Sequence, residues 1–145
     1  MTSNMQIFMG SALLVICSLL HVGIVASSMP SVKWVGQKLE NRKVMVRNAG
    51  LLGVGVMLIL LAHTVQVWTW AFAFMLSGAF SDLDTSFYYS MVTYTTLGYG
   101  DIVLAPGLRI FGTFAAVTGL LTFGISSAFL ISLLVAVFPA MNNRD

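Results

Sequence analysis

The chain has 145 residues, of which 58% are apolar and only 8% charged, against about 25% charged in an ordinary soluble domain. That balance excludes a soluble globular fold and a disordered chain; seven Lys and Arg are too few to track a nucleic-acid backbone, and Cys17, the only cysteine, excludes a disulfide scaffold. A small integral membrane protein is left, and the positions of its few charges carry more information than their sum of +2.

The first element is a charge-free apolar stretch, Met5–Met29, of 25 residues, long enough for one membrane span of about 20 residues. It predicts an N-terminal transmembrane helix within residues 1–30. Its tail, Ala26-Ser27-Ser28-Met29, has the small residues of a signal-peptide cleavage site. However, Met1–Gln6 lacks the positive charge of such a leader, and cleavage would export the basic segment that follows, so a retained helix is expected. Residues 31–47 hold five of the seven basic residues, Lys33, Lys38, Arg42, Lys43 and Arg47, opposed by Glu40 alone. The positive-inside rule makes this segment cytoplasmic. Val32, Val35 and Leu39 recur at helical spacing, which predicts a short interfacial helix. Two roles are open for it, a topological anchor and a binding site for anionic lipid over Lys33–Arg47.

A second charge-free stretch, Asn48–Ser81, has 34 residues and predicts an outer helix over 48–78. The chain then reaches the far side of the membrane, with Asp82 or Asp84 capping a short helix over 84–95. The charge-free run around it, Thr85–Gly100, has only 16 residues, about half of what a crossing needs. A third stretch, Ile110–Asn143, again has 34 residues and predicts an inner helix over 108–138. Unpaired backbone polar groups are not tolerated in lipid, so all three long stretches must be helical. The expected topology has the N-terminus and Asp82–Leu108 outside and the C-terminus in the cytoplasm. Arg144 agrees with this and Arg109 is a mild exception. Trp68 and Trp70 are expected near the outer interface and Trp34 near the inner one.

The segment Phe87-Tyr88-Tyr89-Ser90-Met91-Val92-Thr93-Tyr94-Thr95-Thr96-Leu97-Gly98-Tyr99-Gly100-Asp101 carries the chemistry. A helix that enters from outside and stops near the midplane aims its negative C-terminal end at the membrane centre, where a dehydrated cation is stabilised. Gly98 and Gly100 can take positive φ without steric cost, and alternating backbone handedness lets successive carbonyls face one way. Irregular backbone at that depth must be buried in protein or line an aqueous path.

The run Thr95-Thr96-Leu97-Gly98-Tyr99-Gly100-Asp101 resembles the TTVGYGD signature of the potassium channel pore domain, and the resemblance extends from about Asn48 to Phe138. It implies an all-α membrane protein with three transmembrane helices, a re-entrant pore helix and a selectivity-filter loop, assembled as a four-fold symmetric homotetramer of this chain with three identical partners. It further implies K+ bound by the backbone of Thr96, Leu97, Gly98, Tyr99 and Gly100, with the Thr96 hydroxyl as an added inner oxygen. Asp101 would stand at the outer mouth. Tyr88, Tyr89, Val92 and Thr95 would support the filter, with the aromatics bracing Tyr99. Gly119 and Gly124 fall where the family's inner helix bends. Phe123 and Ser127, with Leu130 or Ile131 and then Leu134 further on, are candidates to line a cavity, or are simply packing residues.

This sequence departs from the family pattern in several places. Leu97 replaces the usual Val. Val92 stands where some members carry a carboxylate that bonds the filter Asp. The span Met5–Met29 has no counterpart in the two-helix channel. No arginine ladder of a voltage sensor is present, and with seven residues after Phe138 no cytosolic ligand-binding domain is expected.

His21 and His63 lie within spans that run in opposite directions, at similar depth. They read either as neutral imidazoles bonded to a Ser, Thr or carbonyl, or as a pH sensor or paired metal ligands, with Gln66 a candidate partner for His63. Cys17 reads as a small buried apolar residue. No acid–base pair or phosphate loop is present, so no enzyme, organic cofactor or nucleic-acid partner is expected. The expected function is passive K+ conduction across the cell membrane. Its rivals are a weakly selective cation channel of the same fold and a non-conducting small transporter or accessory protein. A transporter typically buries a carboxylate within a span, which none of the long spans has.

Overall fold

A computed structural model describes residues 1–27 and 29–138. Ser28, in the tail of the first span, and Arg144 with the rest of the C-terminus lie outside the described residues. In chain order the elements are α1 (Ser3–Ser27), α2 (Met29–Lys38), α3 (Val44–Leu76), α4 (Leu83–Tyr94), a 3-10 turn at Pro106–Leu108 and α5 (Arg109–Val137), all of them helical. Three helical stretches, Ser3–Lys38, Val44–Leu76 and Pro106–Val137, are long and apolar enough to cross a membrane. The 33 residues of α3 reach about 50 Å at 1.5 Å per residue, well beyond a hydrocarbon core of about 30 Å. The 12 residues of α4 reach about 18 Å, roughly half that core.

The basic residues are spread over three elements. Lys33 and Lys38 ride on α2, a turn carries Arg42 and Lys43, and Arg47 already belongs to the first turn of α3. The helix starts early because Val44, Met45 and Val46 are apolar and nothing after Lys43 breaks the pattern; Lys43 itself gives no side-chain cap. Against α3, Val35 of α2 and Leu39 just past its end lie over Gly50, while Trp34 of α2 is exposed under the Lys38 ammonium, 4.7 Å from the ring centre.

The first span packs against the inner helix α5 as well as α3. Three contacts account for this. Gly10 sits against the Phe114 ring, where any side chain would collide. Buried Gln6 accepts from the backbone N–H groups of Ile110 at 3.1 Å and Phe111 at 3.3 Å. The first turn of a helix has N–H groups without intrahelical partners, and the N-cap residue of α5, Leu108, has no side-chain acceptor to offer. Third, Gln66 of α3 donates through Nε2 to the carbonyl of Cys17 at 2.9 Å. That bond also removes Gln66 as the partner expected for His63.

The core is aromatic. Trp70, Phe74 and Phe111 are fully enclosed, with Trp70 and Phe111 centroids 5.5 Å apart and Phe74 edge-on to Phe111 at 5.8 Å. Trp70 is a core residue on the face of α3 turned to α5, while Trp68 remains partly exposed beside Phe72 and Phe87. Cys17 is buried and free.

Candidate functional site

The site is built where α4 ends. Asp82 caps its start, accepting from the Thr85 N–H at 2.7 Å, and this bond holds the Asp82 carboxyl below its ordinary range. Four contacts seat the helix. Ser90 Oγ donates to the Val67 carbonyl of α3 at 2.7 Å. Tyr94 Oη bonds His63 of α3 at 2.8 Å and Thr122 of α5 at 2.7 Å. Gly119 of α5 lies directly against the Tyr94 carbonyl, so that a methyl group there would run into backbone. Gly124, five residues on, faces open space. Only Gly119, of the two glycines singled out on the inner helix, has a packing reason to be glycine.

The chain leaves α4 through a Schellman closure. The N–H of Leu97 reaches the Val92 carbonyl at 3.0 Å and that of Thr96 the Thr93 carbonyl at 2.9 Å, with Gly98 N–H also on Val92 at 3.2 Å. Such a closure needs a left-handed residue, usually glycine, just past the helix; here it is Thr96, at φ +60°. A β-branched residue in that region is an outlier, and the spacing of glycines gave no sign of it. Gly98 and Gly100 follow at φ +56° and +77°, while Leu97 and Tyr99 keep negative φ. The sign thus alternates over five residues. In a regular strand successive carbonyls point to opposite sides, and an alternating sign of φ removes that opposition. Among the described residues, none of the carbonyls from Thr96 to Gly100 accepts a hydrogen bond. The whole segment is exposed in the single chain, Leu97 and Tyr99 at 55% and 69%.

The aromatic residues of α4 divide their work. Tyr89 packs against Phe74 at 5.0 Å and Phe80 at 5.1 Å, and its hydroxyl lies over Gly112. Tyr88 donates its hydroxyl to Asp101 at 2.6 Å. Neither ring stacks on Tyr99 within the chain, among the described residues. Val92 is buried and offers Asp101 nothing, so the carboxylate at the outer end of the segment is held by a phenol four residues earlier on α4.

The Tyr88 bond holds the Asp101 carboxyl below its usual range. A lowered carboxyl favours the charged form, so this tie is in place above the ordinary carboxylate pKa and is lost as pH falls through the lowered value. Replacing Tyr88 by Phe is expected to move the Asp101 titration up toward the ordinary value, read by NMR of the side-chain carboxyl carbon. An unchanged titration would show that the phenol does not hold the carboxylate.

Phe123 of α5 is 42% exposed and stacks on His63, with centroids 4.3 Å apart. It also lies 5.9 Å from the Tyr94 ring. Ser127 is exposed, with its hydroxyl bonded to the Phe123 carbonyl. His21 and His63 meet, ring centroids 4.9 Å apart. Both bond the hydroxyl of Ser126, His21 Nε2 at 2.9 Å and His63 Nε2 at 3.0 Å. The serine is the kind of partner a neutral imidazole needs, and among the described residues no three His, Cys, Asp or Glu side chains gather as metal ligands would.

The sequence model described as "Ion channel" matches residues 58–136, which takes in most of α3 and all of α4, the Thr96–Gly100 segment and nearly all of α5. The potassium voltage-gated channel subfamily A member 10 proteins of Mus musculus and Homo sapiens are each 39% identical to this chain over 54 residues. Those residues are 37% of this chain and 11% of each relative, so the chain matches only a small part of their length. No solved structure matches it. With an ion-channel match over more than half of its residues and three helices able to cross a membrane, the chain belongs to the ion channel family.

Proposed function

We propose that this protein is a potassium-selective channel, a homotetramer in which four Thr96–Gly100 segments line one axis and conduct K+ passively. The observation that carries this reading is the alternation of φ over Thr96, Gly98 and Gly100 together with carbonyls that accept no bond from the described residues. At membrane depth such backbone needs a partner. A ring of four copies offers the carbonyls of Thr96, Leu97, Gly98, Tyr99 and Gly100 to a cation in place of its water. The C-terminal end of α4, with its partial negative charge, faces the point where the cation enters that ring from below. Leu97 turns its side chain away from the axis and so leaves the carbonyl row intact.

The other parts follow from this placement. α4 is the re-entrant pore helix, and Asp101 concentrates cations at the outer mouth. Tyr89, Val92 and Thr95 support the filter from behind. Phe123 and Ser127 face the cavity under the filter, and bending of α5 at Gly119 or Gly124 opens it. The N-terminus and the α4–α5 connection lie outside the cell membrane, with the basic α2 region inside. There, anionic lipid meets Lys33 and Lys38 beside an apolar groove of about 780 Å³ lined by Pro30, Trp34, Gly53 and Met57.

Purified protein in liposomes tests the reading. Rb+ uptake driven by a K+ gradient and blocked by Ba2+ is expected. No Ba2+-sensitive uptake would favour a non-conducting accessory protein instead.

A further inference from the structure

Five side chains from four helices form one continuous hydrogen-bonded row: His21 (α1), Ser126 (α5), His63 (α3), Tyr94 (α4) and Thr122 (α5), each link between 2.7 and 3.0 Å. His21, Thr122, Tyr94 and Ser126 are 0–5% exposed. The direction of the row follows from counting hydrogens. The one hydroxyl proton of Thr122 goes to the Thr118 carbonyl at 2.8 Å, so Tyr94 donates to Thr122. Tyr94 must then accept from His63 Nδ1–H, which leaves His63 Nε2 bare to accept from Ser126, and Ser126 in turn accepts from His21 Nε2–H. The last atom, His21 Nδ1, is a bare lone pair, buried and without a partner. The opposite polarity would leave a buried N–H there instead, the costlier orphan.

The surroundings are short of a proton. Among the described residues, Gln66 Oε1 is a second buried acceptor without a partner, and Trp70 Nε1, one turn on along α3, is the one unpartnered buried donor. Beside the row lie Cys17 of α1 and Gln66 of α3, bonded to each other, and the hydroxyls of α5; the charge-free runs Met5–Met29, Asn48–Ser81, Thr85–Gly100 and Ile110–Asn143 bring no Asp, Glu, Lys or Arg to it.

We propose that this row is a proton-accepting site by which the first membrane helix reports to the end of the pore helix, so that protons oppose K+ in the pore; the proposal rests on the channel reading above. A proton from water binds the lone pair of His21 Nδ1. The Nε2 proton of that imidazolium passes to Ser126 Oγ as the serine's own proton passes to His63 Nε2. His21 is then neutral with its hydrogen on Nδ1, the Ser126 hydroxyl is restored, and His63 carries the positive charge. That charge is stacked on Phe123 and one hydrogen bond from Tyr94, the last residue of α4. It acts from beside that helix end, through the Tyr94 side chain, and opposes the cation that the negative end stabilises. By reciprocity, bound K+ must weaken proton binding as much as the proton weakens K+.

The test is K+-gradient-driven Rb+ flux of the reconstituted full chain between pH 8 and pH 4, in wild type, His21→Gln and Ser126→Ala. Wild-type flux is expected to fall about tenfold with acid, a typical coupling between two sites, with its midpoint moving to lower pH as K+ is raised. Glutamine at 21 keeps a donor for Ser126 but does not titrate, and alanine at 126 cuts the row, so both variants are expected to give flat profiles. A flat wild-type profile, or variants that retain the wild-type one, would overturn the proposal. Should the variants fail to assemble, ¹⁵N-histidine NMR of wild type decides. Nδ1–H on His63 and Nε2–H on His21, with both rings responding to acid, are expected; the reverse tautomers or unresponsive rings would overturn it. Absence of flux at every pH would sink the channel reading instead, and the ring titration then judges the proton site on its own.

Discussion

Gly119→Ala is expected to abolish conduction, while Gly124→Ala leaves most of it. The two glycines lie five residues apart on one helix, and both fall where bending of the inner helix is expected, yet their surroundings differ. A methyl at Gly119 meets the backbone carbonyl of Tyr94, while one at Gly124 meets nothing within 4 Å. Overpacking with a single carbon costs about 1–3 kcal/mol when side chains can yield. Here the obstacle is main chain at the last residue of α4, already held by Ser90, by Tyr94 itself and by the Schellman closure. Relief comes only from moving the end of α4, and Thr96–Gly100 moves with it. Rb+ uptake per assembled protein, with assembly checked by cross-linking, reads the result. Equal uptake from the two variants would show that bending, not close packing, is what α5 needs at these positions.

Gly98→Ala is expected to remove K+ selectivity even where the protein still assembles. Space is not the difficulty, since the nearest atom to an added Cβ is the Thr96 carbonyl oxygen at 4.0 Å. The difficulty is φ at +56°, which an L-residue adopts at a cost of about 1–2 kcal/mol, repeated in each subunit of a tetramer. Alanine relaxes by returning to negative φ, and this breaks the alternation that turns successive carbonyls the same way. The expected readout is a K+/Na+ permeability ratio collapsing toward one, or no current. An unchanged ratio would refute the assignment of Gly98 to the filter.

Much of the architecture was legible because lipid imposes few solutions. A stretch without charge must be a helix if it crosses, and Asn48–Ser81 and Ile110–Asn143 contain α3 and α5 nearly whole. The N-cap of α4 was narrowed by residue type to Asp82 or Asp84, and the bond from Thr85 N–H decides for Asp82. The position of α1 was not, because it depends on contacts between residues about a hundred apart. A glutamine amide caps a helix start whose own N-cap residue is leucine, and Gly10 admits Phe114. The enclosure of Trp70 was not legible for a related reason, since a preference for the membrane interface says nothing of which face of α3 meets α5.

The site shows the same division. Gly98 and Gly100 announce positive φ by being glycine, whereas Thr96 takes it because a Schellman closure requires it at that place, whatever the side chain. The two histidines could be placed at similar depth by counting residues along antiparallel helices. Their partners could not: Ser126 and Tyr94 belong to helices whose rotation only packing decides, and the nearer candidate, Gln66, turns to the Cys17 carbonyl instead.

The central claim is K+ selectivity through the Thr96–Gly100 carbonyls, and the reversal potential of the reconstituted channel with K+ on one side and Na+ on the other tests it most directly. A potential close to the K+ equilibrium value is predicted. A potential near zero, with both ions carrying current, would contradict the account and leave a weakly selective cation channel in its place.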